Sequence, residues 1–150
     1  MKTFRVLVTL VLGLLLAACS ENPRQQIIDG VWNAQLTNTD GTSAFTFQSV
    51  LTQAGGTQVN VTGLVFTVPA ACFSTETSQS ATFTRTGDVH GRLMGHFEMT
   101  VTTTFPEENN VLTLQGSVDG TMITGTWSLT GGTAPCNGSG DFQMAELPAL

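Results

Sequence analysis

Gly125-Thr126-Trp127-Ser128-Leu129 belongs to a short phrase that recurs along this chain: glycine, any residue, aromatic, any residue, apolar. It returns as Gly30-Val31-Trp32-Asn33-Ala34, Gly95-His96-Phe97-Glu98-Met99 and Gly140-Asp141-Phe142-Gln143-Met144. Side chains alternate across an extended strand, so glycine, aromatic and apolar residue share one face and the intervening residues share the other. The shared face is the core face. Glycine there lets a curved sheet bend and lets another side chain come close, as a barrel requires.

Working outward from these phrases, short alternating runs fill the chain from Gly30 to Met144, separated by Gly, Asn, Asp and Pro. The pattern predicts strands at Val31–Asn38, Ser43–Gln53, Gln58–Val68, Ser80–Thr86, Arg92–Thr104, Asn110–Val118, Met122–Leu129 and Gly140–Ala145. Asp40-Gly41, Ala54-Gly55-Gly56, Asp88-Val89-His90-Gly91, Pro106–Asn110 and Asp119-Gly120 supply the turns. Phe45, Phe47, Leu51, Phe83, Leu112, Leu114 and Val118 are expected to point inward. In the third strand the apolar parity changes across Gly63, which predicts a β-bulge there. Eight strands joined mostly by short turns give an all-β fold: a single eight-stranded antiparallel up-and-down β-barrel occupying residues 30–150. Its outer faces read Asn33-Gln35-Thr37, Thr82-Thr84-Thr86 and Thr124-Thr126-Ser128. A barrel that crosses a membrane presents apolar side chains outward, so this one is expected to stand in water.

The N-terminus carries a different signal. Lys2 and Arg5 precede an apolar run from Val6 to Leu16, which is the pattern of a secretory signal peptide and too short for a permanent span. Leu16-Ala17-Ala18-Cys19 then resembles the lipobox of bacterial lipoproteins. That resemblance implies cleavage after residue 18 and lipid on Cys19, with residues 19–29 as lipidated N-terminus and tether. It also implies a place in the bacterial cell envelope, with Ser20 compatible with the outer membrane, and the membrane as a partner reached through the lipid on Cys19. Two or more acyl chains anchor a protein stably where one does not.

Without the signal, Arg24, Arg85 and Arg92 face eleven acidic residues, a formal charge of −8, and no lysine is left. Nucleic-acid binding needs basic residues against phosphates, so no nucleic-acid partner is expected. Threonine is about one residue in six of the mature chain and tyrosine is absent, a composition that favours strands. With Cys19 assigned to lipid, Cys72 and Cys136 remain, and export to an oxidising compartment predicts that they form a disulfide.

Catalytic signals are weak. His96 and Glu98 fall on one outward face and could give two metal ligands, but a site needs three or four. Neither a Gly-x-Ser-x-Gly elbow nor a free thiol is offered for nucleophilic catalysis. Glu107 and Glu108 sit side by side in a turn led by Pro106, which reads as a solvated loop. Neither enzyme activity nor a cofactor is expected. Alternation from Phe83 puts Arg85 inward near a strand end, where it either meets an anionic ligand at the barrel mouth or pairs with an acid such as Asp88 or Asp119. Trp32, Phe97 and Trp127 are core aromatics that become ligand contacts if the barrel holds a cavity.

Gly30-Val31-Trp32 at the start of the first strand resembles the Gly-x-Trp that opens lipocalins, and with Asn33 and Leu36 it is similar to the beginning of avidin-type barrels. Both are eight-stranded meanders that enclose a small molecule. The chain lacks the late arginine of the first family and the tyrosine and several tryptophans of the second, so no ligand residue carries over. The domain as a whole resembles Gly/Thr-rich lipoproteins of bacterial envelopes. Two functions follow: a lipid-anchored carrier of a small apolar ligand, or an interaction or structural lipoprotein with a filled barrel and an envelope protein as partner. An eight-stranded barrel is compatible with either, since its interior is just filled by side chains or takes one ligand.

Overall fold

The computed structural model describes residues 27–68, 72–73, 77–105, 108–132 and 136–148. The expected signal segment, Cys19 and the expected tether up to residue 26 lie outside them. All eight expected strands are present: β1 (Gly30–Asn38), β2 (Ser43–Gly55), β3 (Gln58–Val68), β4 (Thr77–Val89), β5 (Arg92–Phe105), β6 (Glu108–Asp119), β7 (Met122–Thr130) and β8 (Gly138–Glu146). Each pairs antiparallel with the next, and β1 closes the barrel on β8 from Trp32↔Glu146 to Asn38↔Gly140.

The strands run further than the alternation marks. β4 starts at Thr77 and continues to Val89, leaving only His90 and Gly91 as its turn into β5. Both turn residues have positive φ, 54° and 76°. Two-residue turns of that kind match the twist of the flanking strands, so hydrogen bonding continues to the last possible residue. The bulge on β3 is where the parity change places it: Gln48 faces Val65 while Val50 faces Thr62, which leaves one extra residue on β3. Gly63 takes φ 58°, which a side chain would oppose.

The phrases of the opening pattern build the core. Trp32, Ala34, Phe97, Met99, Trp127, Leu129, Phe142 and Met144 are all buried, as are Phe45, Phe47, Leu51, Phe83, Leu112, Leu114 and Val118. Inward alternation fails at one expected position. Arg85 shares the parity of Phe83, yet every residue from Thr84 to Val89 is exposed, and the Arg85 side chain is half exposed. The pairing slips between Arg85 and Gly87, so β4 leaves the inward alternation there, while Leu93 and Gly95 on the facing stretch of β5 stay buried.

The up-and-down order sorts the connections. The start of β1, the β2–β3, β4–β5 and β6–β7 turns and the end of β8 lie at one end of the barrel; the β1–β2, β3–β4, β5–β6 and β7–β8 connections lie at the other. Cys72 and Cys136 form a disulfide at that second end, joining the β3–β4 and β7–β8 connections. Ile27 and Ile28 belong to the first end, where Ile28 is fully buried. The chain therefore comes in from the end opposite the disulfide.

Candidate functional site

The barrel interior is the first place to look, because three of the four candidate ligand contacts lie there. Trp32 is 1% exposed and Phe97 0%, with Trp127 at 4%. Each indole N–H is already used: Trp32 Nε1 donates to the Ile28 carbonyl at 3.0 Å, and Trp127 Nε1 donates to the Thr37 carbonyl at 2.8 Å. Arg85 is not brought to them. It lies on the exposed hairpin, 3.3 Å from the Asp88 carboxylate.

The space left by inward glycines is occupied. Phe97, Gly116, Gly125 and Phe142 form one cross-strand row, and a methyl placed on Gly116 would come within 2.8 Å of the Phe142 ring. The Phe83 ring lies over Gly95, and Trp127 lies 3.0 Å from the corresponding position on Gly138. Glycine and ring are thus complementary pieces of one packed layer, consistent with native interiors at crystal-like density. Phe73 completes the disulfide end, packed on Phe45 and Phe66, while Asn110 Nδ2 holds the Cys72 carbonyl at 2.8 Å.

One polar group sits in this core without a visible partner. Ser49 points inward between Phe47 and Leu51, is fully buried, and its hydroxyl has no hydrogen-bond partner among the described residues. It lies on β2 directly across from the Gly63 bulge.

The wall is uneven. β4 pairs with β5 along its whole length, from Thr77↔Thr103 to Val89↔Arg92, and β3 pairs with β2 from end to end. Between β3 and β4, however, the described pairs are only Gln58↔Thr82 and Val59↔Ala81, supported by the Phe83 N–H donating to the Thr57 carbonyl at 2.8 Å. Beyond them, β3 from Asn60 onward and β4 from Thr77 to Ser80 show no pairing with each other among the described residues. Val61, Leu64 and Phe66 pack against the core from β3 but stay only partly buried, and Val65 is 56% exposed. This seam escaped the sequence reading, which assumes that consecutive strands pair along their length.

Shallow concavities lie on the outside. One, of about 480 Å³, is a dish on β1, β7 and β8 whose lining includes Gln35, Thr37, Thr124, Asp141, Phe142 and Gln143. Another, of about 810 Å³, lies at the end where the chain comes in and includes Asp29, Arg92, Asp119 and Glu146. Partial burial raises the pKa of Glu146 above its ordinary value. His96 and Glu98 are exposed on the outer wall, as expected, and no three His, Cys, Asp or Glu side chains are grouped to hold a metal ion among the described residues.

Compared with known proteins, the chain matches no family model, no curated protein and no solved structure.

Proposed function

We propose that the mature chain is a lipid-anchored envelope lipoprotein that acts through its outer surface, with a partner protein, and that its barrel interior carries no ligand. The observation that supports this is the fit of ring to glycine inside the barrel: Phe83 over Gly95 and Phe142 over Gly116 fill the room a small apolar molecule would need. Anchoring rests on Leu16-Ala17-Ala18-Cys19 behind a signal-like segment. With lipid on Cys19, the end carrying Ile27 faces the membrane and the Cys72–Cys136 end faces away from it. No catalytic role is assigned to any residue.

Native mass spectrometry of the mature protein, drawn gently in detergent from its own host, tests the filled interior. Protein at the mass of the lipidated chain is the expected result; a reproducible small adduct lost on denaturation would return the carrier reading. Anchoring is tested separately with Cys19→Ser, which is expected to abolish labelling by a radiolabelled fatty acid.

A further inference from the structure

We propose that the end of the barrel at which the chain comes in is a lipid-contact surface: Ile27, Val31, Val89 and Leu147 rest in the headgroup boundary of a phospholipid bilayer, so that the barrel sits on the membrane. This rests on the reading that lipid on Cys19 anchors the chain, and it adds a contact that anchoring alone does not require.

The large apolar side chains exposed among the described residues are Ile27, Val31, Val65, Val89 and Leu147. Val65 lies in the wall on β3; the other four belong to the end where the chain comes in, and each is between 37% and 46% exposed. Exposed apolar residues scattered singly need no explanation, whereas their gathering at one end of a barrel does. The Leu147 N–H donates to the Val31 carbonyl at 2.7 Å, which puts these two residues side by side. Ile27 lines one recess with Gly91 and Arg92, and Arg92 pairs with Val89 across the tip of the β4–β5 hairpin.

Charge is distributed to match. Arg85 and Arg92, the two arginines among the described residues, both lie at this end, and Arg24 precedes it in the chain. Each described arginine is exposed and offsets one acid, Arg85 with Asp88 and Arg92 with Asp119. The other two acids here are turned to the barrel itself: Asp29 accepts the Gln53 N–H, and the Glu146 carboxyl lies over Gly30. The disulfide end carries Asp40 and Glu108 with no arginine among the described residues. In a mature chain of net charge −8, the end that can approach lipid phosphates is therefore the one that holds the guanidinium groups.

The attachment of the chain says what covers this end. Ile27 is seven residues from Ser20, counted from that residue, so a chain lipidated on Cys19 holds Ile27 within about 25 Å of the bilayer at full extension. A few apolar side chains bind lipid weakly on their own, but a short tether raises their effective concentration to about the millimolar range, and weak contacts then suffice.

The test reconstitutes the full lipidated chain into vesicles of phosphatidylethanolamine and phosphatidylglycerol and follows the time-resolved fluorescence anisotropy of Trp32 and Trp127, which are packed in the core. A seated barrel is expected to keep a residual anisotropy after the nanosecond decay that a freely turning, tethered barrel completes. The double variant Val89→Ser with Leu147→Ser should lose most of that residual, while Val65→Ser should keep it; all three positions are exposed, and the urea midpoint checks that each variant folds. Complete decay in the parent, a residual that survives the double variant, or one that fades as protein is diluted into excess lipid and so reports self-association would overturn the proposal. A chain with the mass of its lipid that floats with vesicles yet turns freely sinks the seat and leaves the anchor; a chain without that mass sinks the anchoring reading itself.

Discussion

The ring of Phe73 lies face to face on that of Phe66, with centroids 4.0 Å apart and planes 1° from parallel. One ring comes from the β3–β4 connection and the other from β3, so the disulfide end of the barrel is closed by a contact between a loop and a strand of the wall. Phe45 touches both rings, at 5.6 Å and 6.0 Å. Phe73→Ala removes the stack and most of a buried aromatic, and should lower stability by about 3 kcal/mol, read as a fall in the urea midpoint. A loss below about 0.5 kcal/mol would mean that the loop does not seal this end.

The disulfide spans a sequence separation of 64 residues. Closing a loop of that size restricts the unfolded chain by about 4 kcal/mol on the entropy model. The double variant Cys72→Ser with Cys136→Ser should therefore lose stability of that order, with a lower denaturant midpoint and a steeper slope, since the unfolded chain without its cross-link exposes more surface. Part of the fold at this end should survive, because Asn110 still holds the residue-72 carbonyl.

Ser49 is predicted to be a place where removing a polar atom helps. Its hydroxyl is buried without a described partner, and such a group costs about 1–3 kcal/mol relative to one left in water. Ser49→Ala is expected to raise the unfolding free energy by about 1 kcal/mol. A decrease would reveal that the hydroxyl is satisfied in solution, for instance by a trapped water.

Gly140 pairs with Trp127 on one side and Asn38 on the other, and a methyl there would press onto the Thr37 carbonyl. That carbonyl also accepts from Trp127 Nε1, so it has no direction in which to yield. Gly140→Ala should cost about 3 kcal/mol, the upper range for an overpacked site. Gly41→Ala makes a useful contrast, since no atom lies near its added methyl and any cost there comes from its φ of 83° alone.

Glu146 and Asp40 should give opposite pH dependences. Burial raises the Glu146 pKa in the folded chain above 4.5, so the folded state holds this proton more tightly than the unfolded state. Between the unfolded and folded values, stability falls as pH rises, and above them the ionised carboxylate remains a net burden. Glu146→Gln should then be more stable than the parent at neutral pH, with the advantage shrinking as pH falls through the folded value and gone below the ordinary carboxylate value. Asp40 is shifted down by hydrogen bonds from the Thr42 hydroxyl and N–H, so its contribution is present above its unfolded pKa and is lost as pH falls through the folded value. Denaturation of Asp40→Asn across the same range should show the reverse trend.

Most of the wall was legible because period-two alternation is local. Gly95-His96-Phe97 and Gly125-Thr126-Trp127 announce their inward residues without reference to any neighbour, and the parity break at Gly63 announces its bulge in the same way. Arg85 was misread for the converse reason: parity carries along a strand only while its pairing stays in register, and the slip that follows Arg85 depends on β5. The seam was invisible for a related reason, since the alternation of β3 is the same whether or not β4 lies beside it.

The chain by itself determined that it would form eight antiparallel strands, which side chains would turn inward, and that Cys72 and Cys136 were the pair to bridge. Those outcomes follow from backbone geometry, turn chemistry and the reading that sets Cys19 apart from the other two cysteines. Only the tertiary structure decided whether the glycines would leave a cavity, because that depends on where rings from other strands come to rest: Phe83 on Gly95 and Phe142 on Gly116. Likewise it alone set where β3 meets β4, which among the described residues is at Gln58↔Thr82 and Val59↔Ala81. Barrel closure is a property of the whole ring of strands, and no single strand encodes it.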